Sequence, residues 1–496
     1  MEIELKLAVE GNALAALQER VIPELDAKCK YSEKDVFNEY FDTPELLLRE
    51  RKIGFRVRTQ KGKYEQTVKT QGQVQGGVHQ RPEFNIALEK PIPDLLRFDR
   101  DLWAEDFDVE AVNQSLSKVF TTHFHRHQFE IIMEQGVVEL VYDVGEVQTE
   151  QSTLEINEIE LELKKGNESL LFAIAEKIIK YVEVRLSNSS KAARGYRLLK
   201  GQQASSKKLP KFLALGQDDS TEEGLTKSIS CALEHWQYHQ SVFLQTGEEK
   251  ALSQIRESIA LLLQGVSLYL PVLQTDELLK LHKKLLKLMQ QWKWTEDLQT
   301  IHRLRSKKGA FSRRIPKEQG VMNYLLGRRE GLLVAHEPRT LMLTKESTGV
   351  QLLASKLLIE KPWREQNTGA EIPVRKHANG WLSQTWQTVM QSLPRDKNMN
   401  TSNYLAVEVL LKQSLINGFL LGDLFTETRG TFRTPWIDLQ QGINELKAIV
   451  YLKDALGEFD VDEPHDFKLW LDEKNNILIN VMERSREVAM QAETYW

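Results

Sequence analysis

MEIELKLAV (residues 1–9) opens the chain, and EIELEL (residues 158–163) repeats its pattern far downstream. Successive side chains of an extended strand point to opposite faces, so Glu2, Glu4 and Lys6 share one face and Ile3, Leu5 and Leu7 the other. Downstream, Glu158, Glu160 and Glu162 alternate in the same way with Ile159, Leu161 and Leu163. Between them, Arg56 and Arg58 alternate with Phe55 and Val57, Glu65, Thr67 and Lys69 form another set, and Arg81 with Glu83 a further one. A half-exposed antiparallel sheet also alternates polar with apolar, so no one segment is decisive. Repetition is decisive, because glutamates in register on one face repel unless a cation or basic group intervenes. A closed antiparallel barrel with a charged lumen satisfies every segment, its aliphatic face packed outward against helices such as Leu14 to Leu25 and Leu170 to Val182. Carboxylates suit Mg2+ or Mn2+, whereas arginine and lysine suit phosphate oxygens, so the mixture fits a metal-bridged polyphosphate.

These residues resemble the CYTH superfamily of triphosphate tunnel enzymes, whose signature is ExExK, here Glu2, Glu4 and Lys6. The resemblance continues through Tyr40-Phe41-Asp42-Thr43, Arg56 and Arg58, Lys69, Arg126, Asp143 with Gly145, the Glu158 to Glu162 ladder, and Ser190-Lys191 before Arg194-Gly195-Tyr196. It implies an α+β domain over residues 1–200, a closed antiparallel eight-stranded β tunnel with flanking helices. It assigns Glu2, Glu4, Glu158, Glu160 and Glu162 to metal, and Lys6, Arg56, Arg58, Lys69, Arg126 and Lys191 to the phosphate chain, with Arg194 a further contact. Asp143 would support a basic residue or a metal-held water. Arg81 and Glu83 are either phosphate-facing or a structural ion pair. His123, His125 and His127 also recur at strand spacing, but Arg126 lies on the opposite face; if Arg126 points inward, they point outward as bystanders.

With 496 residues, the chain has room for two domains. Nine of its ten tryptophans, all but Trp103, lie beyond the polar stretch 201–220, which reads as a linker. Past it the period becomes helical: Leu252, Ile255, Ile259, Leu262, Val266 and Tyr269, then Leu278, Leu281, Leu285, Leu288 and Trp292. Further helical patterns lie around Leu405 to Leu421, Ile443 to Leu456 and Ile477 to Ala489. Residues 221–496 are therefore expected to form an all-α helical bundle. This half resembles a CHAD domain, a bacterial helical module linked to polyphosphate, which implies possible polyphosphate binding there. Arg256 is kept, but Ser253 stands where that family has the histidine of its His-x-x-Arg helix.

Apolar content of 41% and charged content of 28% fit a soluble globular chain. A formal charge of −5 argues against a nucleic-acid-coating protein, so no nucleic-acid partner is expected. Cys29 and Cys231 are isolated, the start lacks a secretory pattern, and no membrane span is evident, so a cytoplasmic location is expected. The lysines 280, 283, 284 and 287 and the basic run 303–317 read as solvated helix faces, and His235 with His239 lacks an HExxH context. The resemblance makes hydrolysis of inorganic triphosphate to pyrophosphate and phosphate the leading activity. Thiamine triphosphate, adenylate cyclisation and RNA 5′ ends are the enzymatic alternatives, and a polyphosphate-binding scaffold is the non-enzymatic one. No nucleophile triad is required.

Overall fold

The computed structural model describes residues 2–201, 203–366, 369–425, 428–457 and 465–496. They form two compact units, one of Met1–Ala204 with Met342–Lys361, the other of Ser205–Leu341 with Pro362–Trp496.

The first unit is built on one antiparallel sheet. Its strands are β1 (Glu2–Val9), β2 (Lys28–Asp42), β3 (Gly54–Gln60), β4 (Lys63–Lys69), β5 (Gln73–Gln75), β6 (Val78–Arg81), β7 (Glu83–Leu88), β8 (Ser117–Met133), β9 (Gly136–Gln148), β10 (Thr153–Lys165) and β11 (Val184–Leu186). Hydrogen bonding runs β6, β1, β10, β9, β8, β2, β3, β4, β7, with β5 on β6 and β11 on β1. The path opens only between β6 and β7, and there Pro82 carries the chain directly from one to the other. Arg81 pairs with Glu2 of β1 while Glu83 pairs with Lys69 of β4. Proline has no N–H for a ladder, so it divides one continuous strand into two named ones. With β6 and β7 taken as one strand, eight strands ring the lumen, as expected from the sequence.

The outward faces of β1, β8, β9 and β10 bury Leu5, Leu7, Ile131, Leu140, Ile159 and Leu161. Over them lie Leu17 and Val21, from the helical turns following Leu14, and Leu171, Ile174 and Ile178 of the helix Ser169–Tyr181. Burying such aliphatic side chains contributes on the order of 2 kcal/mol each. A second cluster, with Phe41, Phe55, Val68, Phe98 and Trp103, covers the β3–β4 side.

The helix Lys345–Glu360 corrects the expectation that residues 221–496 form one body. It packs on the barrel, where Leu352 joins the aliphatic core, Thr348 donates to the Val184 carbonyl (2.7 Å) and Ser355 to the Gly76 carbonyl (2.6 Å). The expected linker is also more ordered than its composition suggests. From Ser205 onward it belongs to the second unit, because Leu213 and Leu215 are buried and the Leu213 amide donates to the Phe419 carbonyl (3.0 Å).

The second unit is all-α among its described residues. The two expected amphipathic helices are Lys250–Tyr269 and Asp276–Gln291, and the later patterns become Thr401–Leu421, Arg429–Gly457 and His465–Gln491. The segment Thr401–Leu424 is long and apolar enough to cross a membrane, with mean hydropathy 1.4, which the sequence reading passed over. In this fold Tyr404, Leu411, Leu420 and Leu421 are buried core, and Glu408 pairs with Lys447 of a neighbouring helix (2.9 Å).

Candidate functional site

The lumen of the barrel holds a cavity of about 280 Å³ lined mainly by ionic groups. Nine cationic side chains (Lys6, Lys34, Arg56, Arg58, Lys69, Arg81, Arg126, Lys164 and Lys191) face seven glutamates (Glu2, Glu4, Glu65, Glu83, Glu139, Glu160 and Glu162). Strand alternation puts all but Lys191 there, and Lys191 enters from the helix Lys191–Leu199.

Glu160 of β10 is the hub. Its carboxylate meets Lys6 of β1, Lys191 (3.1 Å) and Arg126 (3.5 Å), and these cations hold it well below the ordinary carboxyl range against the opposing effect of burial. Lys6 also meets Glu4 (2.8 Å); burial would raise the Glu4 carboxyl, but Lys6 together with Lys69 and His79 outweighs it and the net shift is downward. At the Pro82 seam, Lys69 lies 2.5 Å from Glu2 and 2.8 Å from Glu83, with Arg56 3.5 Å from Glu83. Two carboxylates thus share one ammonium group. Burial, reinforced by the neighbouring carboxylates, pushes the Glu2 carboxyl up to about 7, while Lys69 and Arg56 hold Glu83 below its usual value. The structural alternative for Arg81 and Glu83 is thereby corrected: Glu83 pairs with Lys69 and Arg56, because the lumen brings those residues across from β4 and β3.

Asp143 and Glu158 lie under the cavity wall and are almost wholly inaccessible. Asp143 accepts two bonds from Arg126, each 2.7 Å, and Lys191 sits 2.7 Å from its other side. Glu158, expected among the metal-facing acids, instead meets Lys191 and Arg194. Asp143, Glu158 and Glu160 still each place an oxygen within 4.8 Å of the others. Arg194, expected as a phosphate contact, is turned to Glu158 rather than into the cavity.

The helix Lys191–Leu199 explains the Ser-Lys and Arg-Gly-Tyr runs. Ser190 caps it by accepting from the Ala193 amide (3.1 Å), which fixes Lys191 in the first turn, facing the lumen. One turn on, Gly195 lies against Phe120, where a Cβ would approach the ring to 2.2 Å. Tyr196 donates to Asp42 (2.8 Å), and Asp42 also accepts from the Thr43, Leu48 and Arg49 amides. Asp42 is therefore an anchor for this helix and for the turn after β2.

Three cavity cations, Lys34, Arg58 and Arg81, have no carboxylate within ion-pair distance among the described residues. Arg58 donates only to the Asn38 side-chain oxygen (2.9 Å); burial, with Arg56 and Arg126 nearby, lowers it to about 9. Lys34 is lowered as well, by burial and by the field of Arg126 and Arg58. The Arg56 and Arg81 Nε donors are buried without partners. Lys34, Asn85, Glu139 and Lys164 were missed in the sequence. Glu139 shares parity with Asp143, and Lys34 pairs in register with Arg126, signals that become usable once the strand partners are known.

A ring of antiparallel strands with acids and bases facing one lumen defines a tunnel domain. Residues 1–196 match the family model described as the CYTH domain. The chain is 34% identical over 201 residues to the inorganic triphosphatase of Haemophilus influenzae, an alignment covering 40% of this chain and 54% of that relative. It thus spans about half the length of the curated relative it matches. Among solved structures, a Hippeastrum protein assigned as an adenylyl cyclase and described as having a dominant triphosphatase activity aligns with 18% identity and TM-score 0.30, covering 40% of this chain and 96% of its own. The CHAD domain of Ricinus communis aligns with 12% identity and TM-score 0.42, covering 59% and 97%.

Proposed function

We propose that the barrel unit hydrolyses inorganic triphosphate to pyrophosphate and phosphate with a divalent cation, Mg2+ or Mn2+. The observation that carries this reading is the trio Lys34, Arg58 and Arg81, buried or half-buried cations facing the lumen without carboxylate partners. Unpaired buried charge is costly, so such a group is best explained by an anion that it binds. The donor chemistry also fits a metal. Nine cations against seven glutamates leave a surplus of two positive charges, less than the negative charge of a triphosphate, and a divalent cation narrows the difference. Glu2, Glu4, Glu160 and Glu162 offer hard oxygen donors for it, and the ion when bound supplies charge neutralisation and Lewis acidity.

The chain's own residues do the rest. Lys34, Arg56, Arg58 and Arg81 would grip the phosphate chain by charge-assisted hydrogen bonds, Arg bidentately. Arg126 and Lys191, fixed from beneath by Asp143, would meet the charge that spreads over the transferring phosphoryl group. Because these cations are held before substrate arrives, little reorganisation is needed in the transition state. The cavity's lining is mainly ionic, with Tyr40, Phe124 and Val141 as its few apolar faces, a balance that favours the inorganic substrate over a nucleotide or thiamine ester. Polyphosphate binding by the helical unit draws less support: Arg256 meets Glu296, and Lys447 bridges Glu296 (3.1 Å) and Glu408 (2.9 Å), so these cations are already matched.

The test is to incubate the chain with Mg2+ or Mn2+ and tripolyphosphate, ATP or thiamine triphosphate in parallel, and to identify products by phosphorus NMR. Tripolyphosphate should turn over fastest, and Glu4→Gln should abolish metal-dependent turnover while folding normally. Preferred cyclisation of ATP would overturn the reading, and long-chain polyphosphate binding without turnover of any substrate would favour the scaffold.

A further inference from the structure

The three histidines of β8 face outward, as their parity with Arg126 requires, but the register of β2 against β8 gives them partners that the sequence did not show. Glu33 lies opposite His127 and Asp35 opposite His125. The Glu33 carboxylate oxygen Oε2 is 3.7 Å from His125 Nε2 and 3.7 Å from His127 Nδ1. One donor atom from each of the three lies within 4.8 Å of the others. In a tetrahedral site with bonds of about 2.1 Å, neighbouring ligand atoms are about 3.4 Å apart, so both Glu33–histidine separations are already within tenths of an ångström of that spacing.

The surroundings orient these atoms as a ligand set would require. Asp35 accepts from His125 Nδ1 at 3.0 Å, which places the proton on that nitrogen and leaves Nε2 as a lone-pair donor toward Glu33. The Tyr31 hydroxyl donates to Glu33 Oε2 (2.8 Å) and lies 2.9 Å from His127 Nδ1, so the two prospective ligand atoms already converge on one point. The His127 ring is held in place by stacking on Tyr142 and Tyr31. His123, by contrast, meets Phe37 rather than an acid, and stays outside the set.

We propose that Glu33, His125 and His127 form a second metal site on the outer wall of the barrel, specific for a borderline divalent ion such as Zn2+, with its fourth position open to solvent. Two imidazoles and one carboxylate select this class of ion over the Mg2+ suited to the all-oxygen lumen. Bound there, the ion ties β2 to β8 and clips the wall that carries Lys34 and Arg126 on its inner side.

The experiment titrates the full-length chain, stripped with chelator, with Zn2+ by calorimetry in excess Mg2+, and with Co2+ by visible absorption. The expected result is one Zn2+ per chain with a tetrahedral Co2+ spectrum, weakened about 10- to 100-fold by His125→Ala and by Glu33→Gln and unchanged by Glu4→Gln. Both outer positions are solvent-facing, so these variants should fold, and circular dichroism checks it. Absence of Zn2+ uptake, full affinity in either outer variant, or loss of binding with Glu4→Gln would overturn the assignment. Triphosphatase turnover is read separately, so failure here leaves the lumen's reading standing and the reverse also holds.

Discussion

Lowering the pH from 8 to 6 should weaken Mg2+ binding in the lumen about tenfold, with Glu2 setting the slope. Burial and the adjacent carboxylates hold its carboxyl at about 7, against 4.5 for the free group. It is then roughly nine-tenths ionised at pH 8 and one-tenth at pH 6, a tenfold change or about 1.4 kcal/mol. The sign follows from linkage. A raised carboxyl pKa means that the folded chain holds an extra proton between 4.5 and 7, so without the cation its stability falls as pH rises through that window. Mg2+ displaces the proton, and its affinity therefore rises over the same range. Glu4, lowered by Lys6, stays ionised throughout, and His79, lowered to about 4 by burial and by Lys6, stays neutral, so neither adds to the slope. Calorimetry at pH 6, 7 and 8 in two buffers of different ionisation enthalpy measures affinity and proton release together. Equal affinity at pH 6 and 8, or an undiminished slope in Glu2→Gln, would refute the reasoning.

Gly195→Ala should cut tripolyphosphate turnover about 100-fold without unfolding the chain, because the new methyl displaces the Phe120 ring and shifts Lys191 by about 1 Å; steady-state kinetics beside a circular dichroism spectrum checks both parts. Asp143→Asn removes the charge beneath Arg126 and Lys191 and should cost about 3–5 kcal/mol, read from urea unfolding of the barrel unit, and a loss below about 1 kcal/mol would contradict the network described. Leu352→Ala should destabilise that same unit by about 2–4 kcal/mol although the residue lies far along the chain, with Mg2+ affinity unchanged, as differential scanning calorimetry and titration would show.

Much of the lumen was legible because β1, β3 and the stretch of β10 from Glu158 to Leu163 alternate cleanly between ionic and apolar residues, so one buried face fixes the direction of the other. That signal fails in the first half of β2, where Tyr31, Ser32, Glu33, Lys34 and Asp35 are polar or amphipathic on both faces and nothing in the local pattern orients Lys34. Parity also gives direction without depth. It puts Glu158 and Asp143 inward, but only the strand register and the helix Lys191–Leu199 show that they lie behind Lys191 rather than in the open cavity. The meeting of Glu33 with His127 depends on pairing two strands nearly a hundred residues apart, information that no local window contains. In the helical half the period identified helices correctly, yet it could not say which core Lys345–Glu360 would join. Its buried Ser347, Thr348 and Ser355 blur the apolar stripe, and the carbonyls that accept from Thr348 and Ser355 lie 164 and 279 residues upstream.

The return of residues 342–361 to the barrel sets an order of events during synthesis. When Ala204 leaves the ribosome every strand has been made, but the groove over Val184 and Gly76 must wait for some 140 further residues before its cover exists. A nascent barrel therefore carries an uncapped greasy wall while the next body is being translated, the condition under which holdase chaperones engage a chain. Cutting the gene after the CYTH boundary would make that interval permanent, and a fragment ending near residue 204 should be recovered soluble only when the segment 342–361 is supplied with it.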